Sequence, residues 1–308
     1  MAKVSILIPS RNEKWLKNTL DNIYENATGD FEVIVGFNGK TDYPLQGDYP
    51  NLTLIYESQD IGLKPMINKL ANLATGKYIY KSDAHCAFGE GFDEILQENM
   101  EENWVVTPRF KIIKDDWSIQ TRDGEEEFYD YFYLSCPFTD PKGLRFKAGG
   151  HWKERTFERN PNPFLTQTVS PTNEIPEIDE TPQIHGSGWF VKRDYFFNIL
   201  GGFPETDPFG HAQEPIWLAL KNWLIGGKLM VNKKTWYAHL HQDSKDRGYP
   251  EDRSHTEKTY NDTASHFLLN KEPNLVHDFD WFVEKFYPMP TWPENWRQLL
   301  IDWRIQNG

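Results

Sequence analysis

Asp83 and His85 stand two residues apart in Lys81-Ser-Asp-Ala-His-Cys86, directly behind a short apolar run. Just past a strand end, a carboxylate and an imidazole at that spacing can both turn toward one point. Oxygen and nitrogen donors together suit Mn2+, and Mg2+ less closely. An ion held there can bridge two phosphates and neutralise charge on a departing diphosphate, which gives Asp83 a part in the chemical step as well. More imidazole comes late, in Tyr237-Ala-His-Leu-His-Gln242. His239 and His241 are again two apart, so on a strand they face the same way, and either can complete the ion's ligands. The plain alternatives are a capping Asp beside a buried His, and a late His satisfied by its neighbours.

Between these motifs lies Phe209-Gly-His-Ala-Gln-Glu214, opening a helix. A helix N-terminus stabilises a carboxylate as the anion, so Glu214 reads as a general base, a hydrogen-bond acceptor or a capping residue. The preceding turn, Gly186-Ser-Gly-Trp-Phe190, has two glycines where backbone can approach a ligand closely. Trp189 comes to the same place as a candidate ligand contact.

The elements that would position these groups alternate. Val4–Pro9, Phe31–Gly36, Leu52–Tyr56, Lys77–Tyr80 and Trp104–Thr107 are apolar runs of strand length. Helical spacing marks 13–26, 64–74 and 92–100. This pattern predicts an α/β fold with a mostly parallel sheet flanked by helices. Ligands in such sheets collect at the carboxyl ends of the strands, here Pro9–Glu13, Phe37–Asp42 and Ser82–Cys86. Residues 111–185 are rich in Pro, Gly and charge, punctuated by Asn160-Pro-Asn-Pro163 and Ser170-Pro171, and read as an irregular insertion that orders on ligand binding. Helices are expected at 193–200 and 213–225, the second stopped by Gly226-Gly227. Strands are expected at 228–231 and 235–241. A tail from about 250 turns aromatic around Trp281, Trp292, Trp296 and Trp303.

Composition narrows the function. A net charge of -13 over 308 residues excludes a protein that binds nucleic acid through a broad basic face. One stretch departs from this, with six Lys/Arg against two Glu between Lys142 and Arg159. There it interleaves with Phe146 and Trp152, as in single-strand binders, or is a solvated loop. Cys86 and Cys136 have no metal-ligand spacing and fit a reducing compartment. No apolar run approaches the ~20 residues that span a bilayer, and the N-terminus lacks a signal-peptide core, so a cytoplasmic location is expected, without membrane contact.

As a set, these features resemble family 2 glycosyltransferases of GT-A fold. Ile8-Pro-Ser-Arg-Asn-Glu13 is similar to the family's opening, Asp60-Ile-Gly-Leu-Lys64 to its helix start, and Ser82-Asp83-Ala-His85 stands in place of Asp-x-Asp. The Asp-x-His form resembles polypeptide N-acetylgalactosaminyltransferases, and Trp-Tyr-Ala-His-Leu-His resembles glycosyltransferases of bacteriophages. The resemblance covers about residues 3–110 and 185–248. It implies a GT-A catalytic domain over 1–248, with a nucleotide-binding half at 1–110 and an acceptor half at 186–248. A C-terminal extension would follow at 249–308.

The resemblance also implies a nucleotide-sugar donor, UDP-linked, and places Pro9, Arg11, Glu13, Asn38 and Asp60 around the nucleoside, with Lys64 and Ser82 in the same motifs. Asp83 and His85, with His241 or His239, would bind Mn2+ or Mg2+, and Glu214 would sit by the acceptor. A phage enzyme would act in the host cytoplasm, with a hydroxymethylated pyrimidine in DNA as the acceptor; a glycan or protein hydroxyl is the other option. Asn38-Gly39 replaces the usual Asp, which bears on the base contact. Two other classes remain open at this point, a nucleotidyltransferase and a carbohydrate- or DNA-binding module on an inactive scaffold. The first would carry a Gly-rich loop after the first strand, and the second would have lost its metal ligands.

Overall fold

The computed structural model describes residues 3–147, 150–159, 176–205, 213–242, 247–249 and 253–308. The chain starts with β1 (Val4–Ser10), α1 (Leu16–Asn26), β2 (Phe31–Asn38), β3 (Leu52–Glu57) and α2 (Leu63–Leu73). Next come β4 (Tyr78–Ser82), β5 (Cys86–Phe88), α3 (Phe92–Glu98) and β6 (Trp104–Ile113). Short pieces follow: β7 (Thr121–Arg122), β8 (Glu125–Glu126), β9 (Phe128–Tyr129), β10 (Phe132–Tyr133), β11 (Gly150–His151) and α4 (Lys153–Arg159). The second half holds β12 (Ile178–Glu180), β13 (Gly188–Lys192), α5 (Arg193–Asn198), α6 (Glu214–Leu224) and β14 (Lys228–Leu240). It ends in α7 (Arg253–Leu268), α8 (Phe279–Phe286) and α9 (Trp296–Asn307).

β1 is apolar on both faces because both faces of the sheet are covered. Ile6 and Ile8 pack with Leu16, Leu20 and Ile23 of α1, whereas Leu7 packs with Met66, Ile67 and Leu70 of α2. The main sheet runs β12-β14-β6-β13-β4-β1-β2-β3, with β5 on β14 and β9 on β6. β3, β2, β1 and β4 pair in parallel, as do β6 and β14; β13 is antiparallel to both of its neighbours. The expected mostly parallel α/β sheet is therefore present, and β1, β2 and β4 end on the same edge.

Three boundaries differ from the sequence reading. β4 runs on to Ser82, because the buried Lys81 continues the strand that its charge had ended on paper. The two late strands are one, β14, with a register shift against β6 between Asn232 and Trp236. β6 extends to Ile113, into the supposed insertion, where Arg109 forms a two-pronged ion pair with buried Asp130. The Asn160–Pro163 and Ser170–Pro171 punctuation lies outside the described residues. At the C-terminal end, Phe267, Phe279, Phe282, Phe286, Trp292, Trp296 and Leu300 join one apolar cluster with residues of α2 and α6. Among the described residues no helix is long and apolar enough to cross a membrane.

Candidate active site

Asp83 follows the last residue of β4, and each of its carboxylate oxygens has a separate task. Oδ1 accepts from the Lys81 ammonium at 2.6 Å, and Lys81, only 1% exposed, also donates to the Gly186 carbonyl at 2.6 Å. Oδ2 lies 3.4 Å from His239 Nε2 and 4.0 Å from His85 Nε2. The two Nε2 atoms are 2.9 Å apart. One ligand atom from each of Asp83, His85 and His239 falls within 4.8 Å of the others.

This donor set fits a divalent ion. Behind His85, Glu13 Oε2 accepts from Nδ1 at 3.0 Å, which leaves the Nε2 lone pair pointing into the site. Burial pushes the Asp83 carboxyl up, but Lys81, a hydrogen bond from His239 and the nearby His85 hold it well below the usual carboxylate range. Burial lowers His239 to about 3, so its ring is neutral, with one nitrogen carrying a proton and the other a lone pair. A carboxylate facing two imidazoles, with their Nε2 atoms crowded together, is what a bound cation relieves.

β14 brings the late histidines in by pairing with β5, His239 opposite Cys86. Of the two candidates, His239 meets Asp83, while His241 is exposed and groups instead with His185 and His239. His185 was missed in the sequence. It stands beside the Gly-rich turn with no partner at a recognisable spacing, and only the fold brings it to β14.

A second group forms at the ends of β1 and β2. Asn38 donates to Asp60 Oδ1 at 2.7 Å and accepts from the Ile61 N–H at 2.8 Å. Arg11 pairs with Asp60 at 2.8 Å, and its guanidinium lies 4.3 Å from the Tyr249 ring centroid. Pro9 is half-buried one residue before the end of β1. Arg11, Asn38 and Asp60 do come together, with Pro9 on the neighbouring strand end opposite Gly36.

Other candidates land elsewhere. Glu13 faces His85 and accepts from Gln242, on the Asp83 side rather than beside Asn38 and Asp60 in the hydrogen bonds it makes. Ser82 is fully buried, with its hydroxyl donating to the Asp83 carbonyl. Lys64 is 2% exposed and Trp189 fully buried, so neither offers surface to a cofactor. Trp189 instead donates its indole N–H to Glu214 Oε1 at 2.5 Å.

Glu214 begins α6, as expected, with Pro215 behind it; Phe209 to Ala212 lie outside the described residues. The carboxyl is 1% exposed, and a side chain on Gly186 would meet Oε2 at 2.6 Å. Gly186 thus leaves a bare approach to that oxygen. Burial raises Glu214 to about 7, against the opposing pull of Lys81, the Trp189 bond and Lys64 and with a small push from Asp83. Buried Lys81 stays charged between Asp83 and Glu214, which offset the cost of burying it.

The basic stretch is mostly engaged within the protein. Arg145 and Lys147 pair with Asp140, and Arg155 and Arg159 with Asp179. Phe146 is fully buried and Trp152 8% exposed, so neither can stack on a base.

Comparison with known proteins now bears on this geometry. Residues 5–155 match the family Glycosyl transferase family 2. The chain carries a family 2 glycosyltransferase domain. A Drosophila melanogaster protein provisionally named polypeptide N-acetylgalactosaminyltransferase 13 is 26% identical over an alignment of 259 residues that covers 78% of this chain and 42% of that protein. The crystal structure of GalNAc-T7 with UDP, GalNAc and Mn2+ superposes with a TM-score of 0.61 at 16% identity, covering 94% of this chain and 58% of that one. The fold of this family 2 domain is therefore GT-A, and the chain spans only part of both relatives.

Proposed function

We propose that this chain transfers a sugar from a UDP-linked donor to a hydroxyl acceptor, using Mn2+ held by Asp83, His85 and His239. The convergence of those three side chains at the end of β4, with Glu13 gripping His85 from behind, carries the reading. The ion would supply charge neutralisation on the leaving diphosphate. Lys81 fixes the Asp83 carboxylate so that Oδ2 faces the imidazoles. Asn38, Asp60 and Arg11 frame the nucleoside at the ends of β1 and β2. The GalNAc-T7 complex with UDP and Mn2+ supports the same donor class, and free Cys86 and Cys136 suit a cytoplasmic enzyme.

The donor half has a direct test. Thermal stabilisation by a panel of nucleotide sugars with Mn2+ is expected to be largest for UDP-linked sugars. Asp60→Ala, which frees Arg11 and Asn38, is expected to weaken that donor by about tenfold through loss of charge-assisted hydrogen bonds. Equal stabilisation by every nucleotide, unchanged in Asp60→Ala, would remove the nucleoside assignment.

For the acceptor, Lys142, Lys147 and Lys153 are exposed and can hold phosphates, while Phe146 and Trp152 beside them are buried. Hydroxymethylated pyrimidine in bacteriophage DNA is thus an acceptor recognised through its phosphate backbone. Transfer to such DNA is expected to fall steeply with added salt and with Lys147→Glu plus Lys153→Glu. Indifference to both leaves a glycan or protein hydroxyl as the acceptor.

A further inference from the structure

His185 has no part in the donor site, yet its ring lies against two histidines. Its centroid is 5.0 Å from that of His239 and 5.5 Å from that of His241, and the latter two are 4.9 Å apart. One ring nitrogen from each of the three falls within 4.8 Å of the others. His185 Nδ1 is tied to the Ser187 hydroxyl at 2.6 Å, and that hydroxyl reaches Tyr237 at 3.2 Å. These bonds fix the ring plane, as an outer-shell partner does for a ligating imidazole. Phe110 and Phe132 close in on His185, while His241 stands at the surface and leaves an entry path.

His239 supplies a second, independent observation. Its Nε2 faces Asp83 and His85, but its Nδ1 is buried without a hydrogen-bond partner among the described residues. An orphaned polar atom in a ring only 7% exposed calls for a partner.

We propose that His185, His239 and His241 form a second divalent-cation site, selective for zinc-type ions, which competes with the donor metal for His239. Three imidazoles without a carboxylate favour Zn2+, Ni2+ or Cu2+ over Mn2+ and Mg2+, whereas Asp83 gives the first site the oxygen that the harder ions prefer. A neutral imidazole carries one lone pair, so His239 completes one triad at a time. Occupation of the second site therefore withdraws a ligand from the first. The competition rests on the proposed donor-metal site; the zinc site itself does not.

Binding measurements on the full chain separate the two. Mn2+ bound to the protein is followed by the electron paramagnetic resonance signal of the free ion while Zn2+ is added. One Zn2+ per chain is expected to release the Mn2+, and His185→Gln is expected to raise the zinc needed by about tenfold or more. Asp83→Asn should lose Mn2+ yet keep its zinc, measured by equilibrium dialysis. If His185→Gln releases Mn2+ at the same zinc concentration as the unaltered chain, zinc acts directly on the Asp83 site and the proposal fails. It fails equally if Asp83→Asn binds no zinc. Should the unaltered chain bind no Mn2+ at all, the donor-metal reading falls, and zinc binding by Asp83→Asn alone decides the second site.

Discussion

Asp83→Asn is expected to lower turnover by about 10³-fold, the scale on which loss of a group stabilising developing charge is felt. Asparagine keeps the shape of the side chain but removes the anion from a site whose other donors are imidazoles. It also leaves Lys81 without its nearest countercharge. Because Lys81 is 1% exposed, breaking that pair is expected to cost about 3 kcal/mol of stability, with Glu214 retained as another carboxyl nearby. Steady-state kinetics with Mn2+ and a UDP-sugar, beside a denaturant melt, measures both effects. Near-normal kcat in Asp83→Asn would end the metal assignment, and an unchanged melt would show that Lys81 does not depend on this pair.

Glu214→Gln should separate activity from stability in opposite directions. As a base or acceptor on a sugar hydroxyl, Glu214 is expected to contribute about 10²-fold to rate, with donor affinity little changed. Turnover of the unaltered chain should rise with pH through about 7, as the carboxyl loses its proton.

The stability effect has the reverse sense. A carboxyl raised from 4.5 to about 7 stays protonated in the folded chain while the unfolded chain has already lost its proton. Stability from this group therefore falls as pH climbs between those two values, by about 3 kcal/mol in all. Glutamine mimics the neutral acid and should melt higher than the natural chain at pH 8, but not at pH 4. A lower melting temperature at pH 8 would contradict the burial argument. The anomeric configuration of the product adds a check, since a simple base role requires inversion relative to the donor.

Much of this site could be read from residue order, and the reasons are local. β1, β2 and β3 announce themselves as short apolar runs, and α1 and α2 as apolar residues at helical spacing, because each meets the core along its own length. Asp83, His85 and the pair His239 and His241 were legible as candidates for a similar reason: they sit at or just beyond strand ends, where period-two spacing fixes direction, but which of the two late histidines meets Asp83 appears only in the fold. Lys81 was not. A charge inside a buried strand looks like the strand's end until its partners Asp83, Glu214 and the Gly186 carbonyl are known, and two of those lie more than a hundred residues away. His185 was hidden likewise, as was the bond from His85 to Glu13, since the partners come from other elements. Phe146 and Trp152 misled in the opposite way. Basic neighbours suggested an exposed binding face, but those bases pair with Asp140 and Asp179 and leave the rings to the core. Short-range spacing reports direction along one element; it carries no record of ion pairs between elements.

The most direct test of the central claim is release of UDP from a UDP-sugar, measured with Mn2+, with excess EDTA, and with Mn2+ restored. The Asp83–His85–His239 assignment predicts release with Mn2+, background in EDTA, and recovery when the ion returns, with His85→Ala at background throughout. Full release in EDTA, or in His85→Ala, would contradict it.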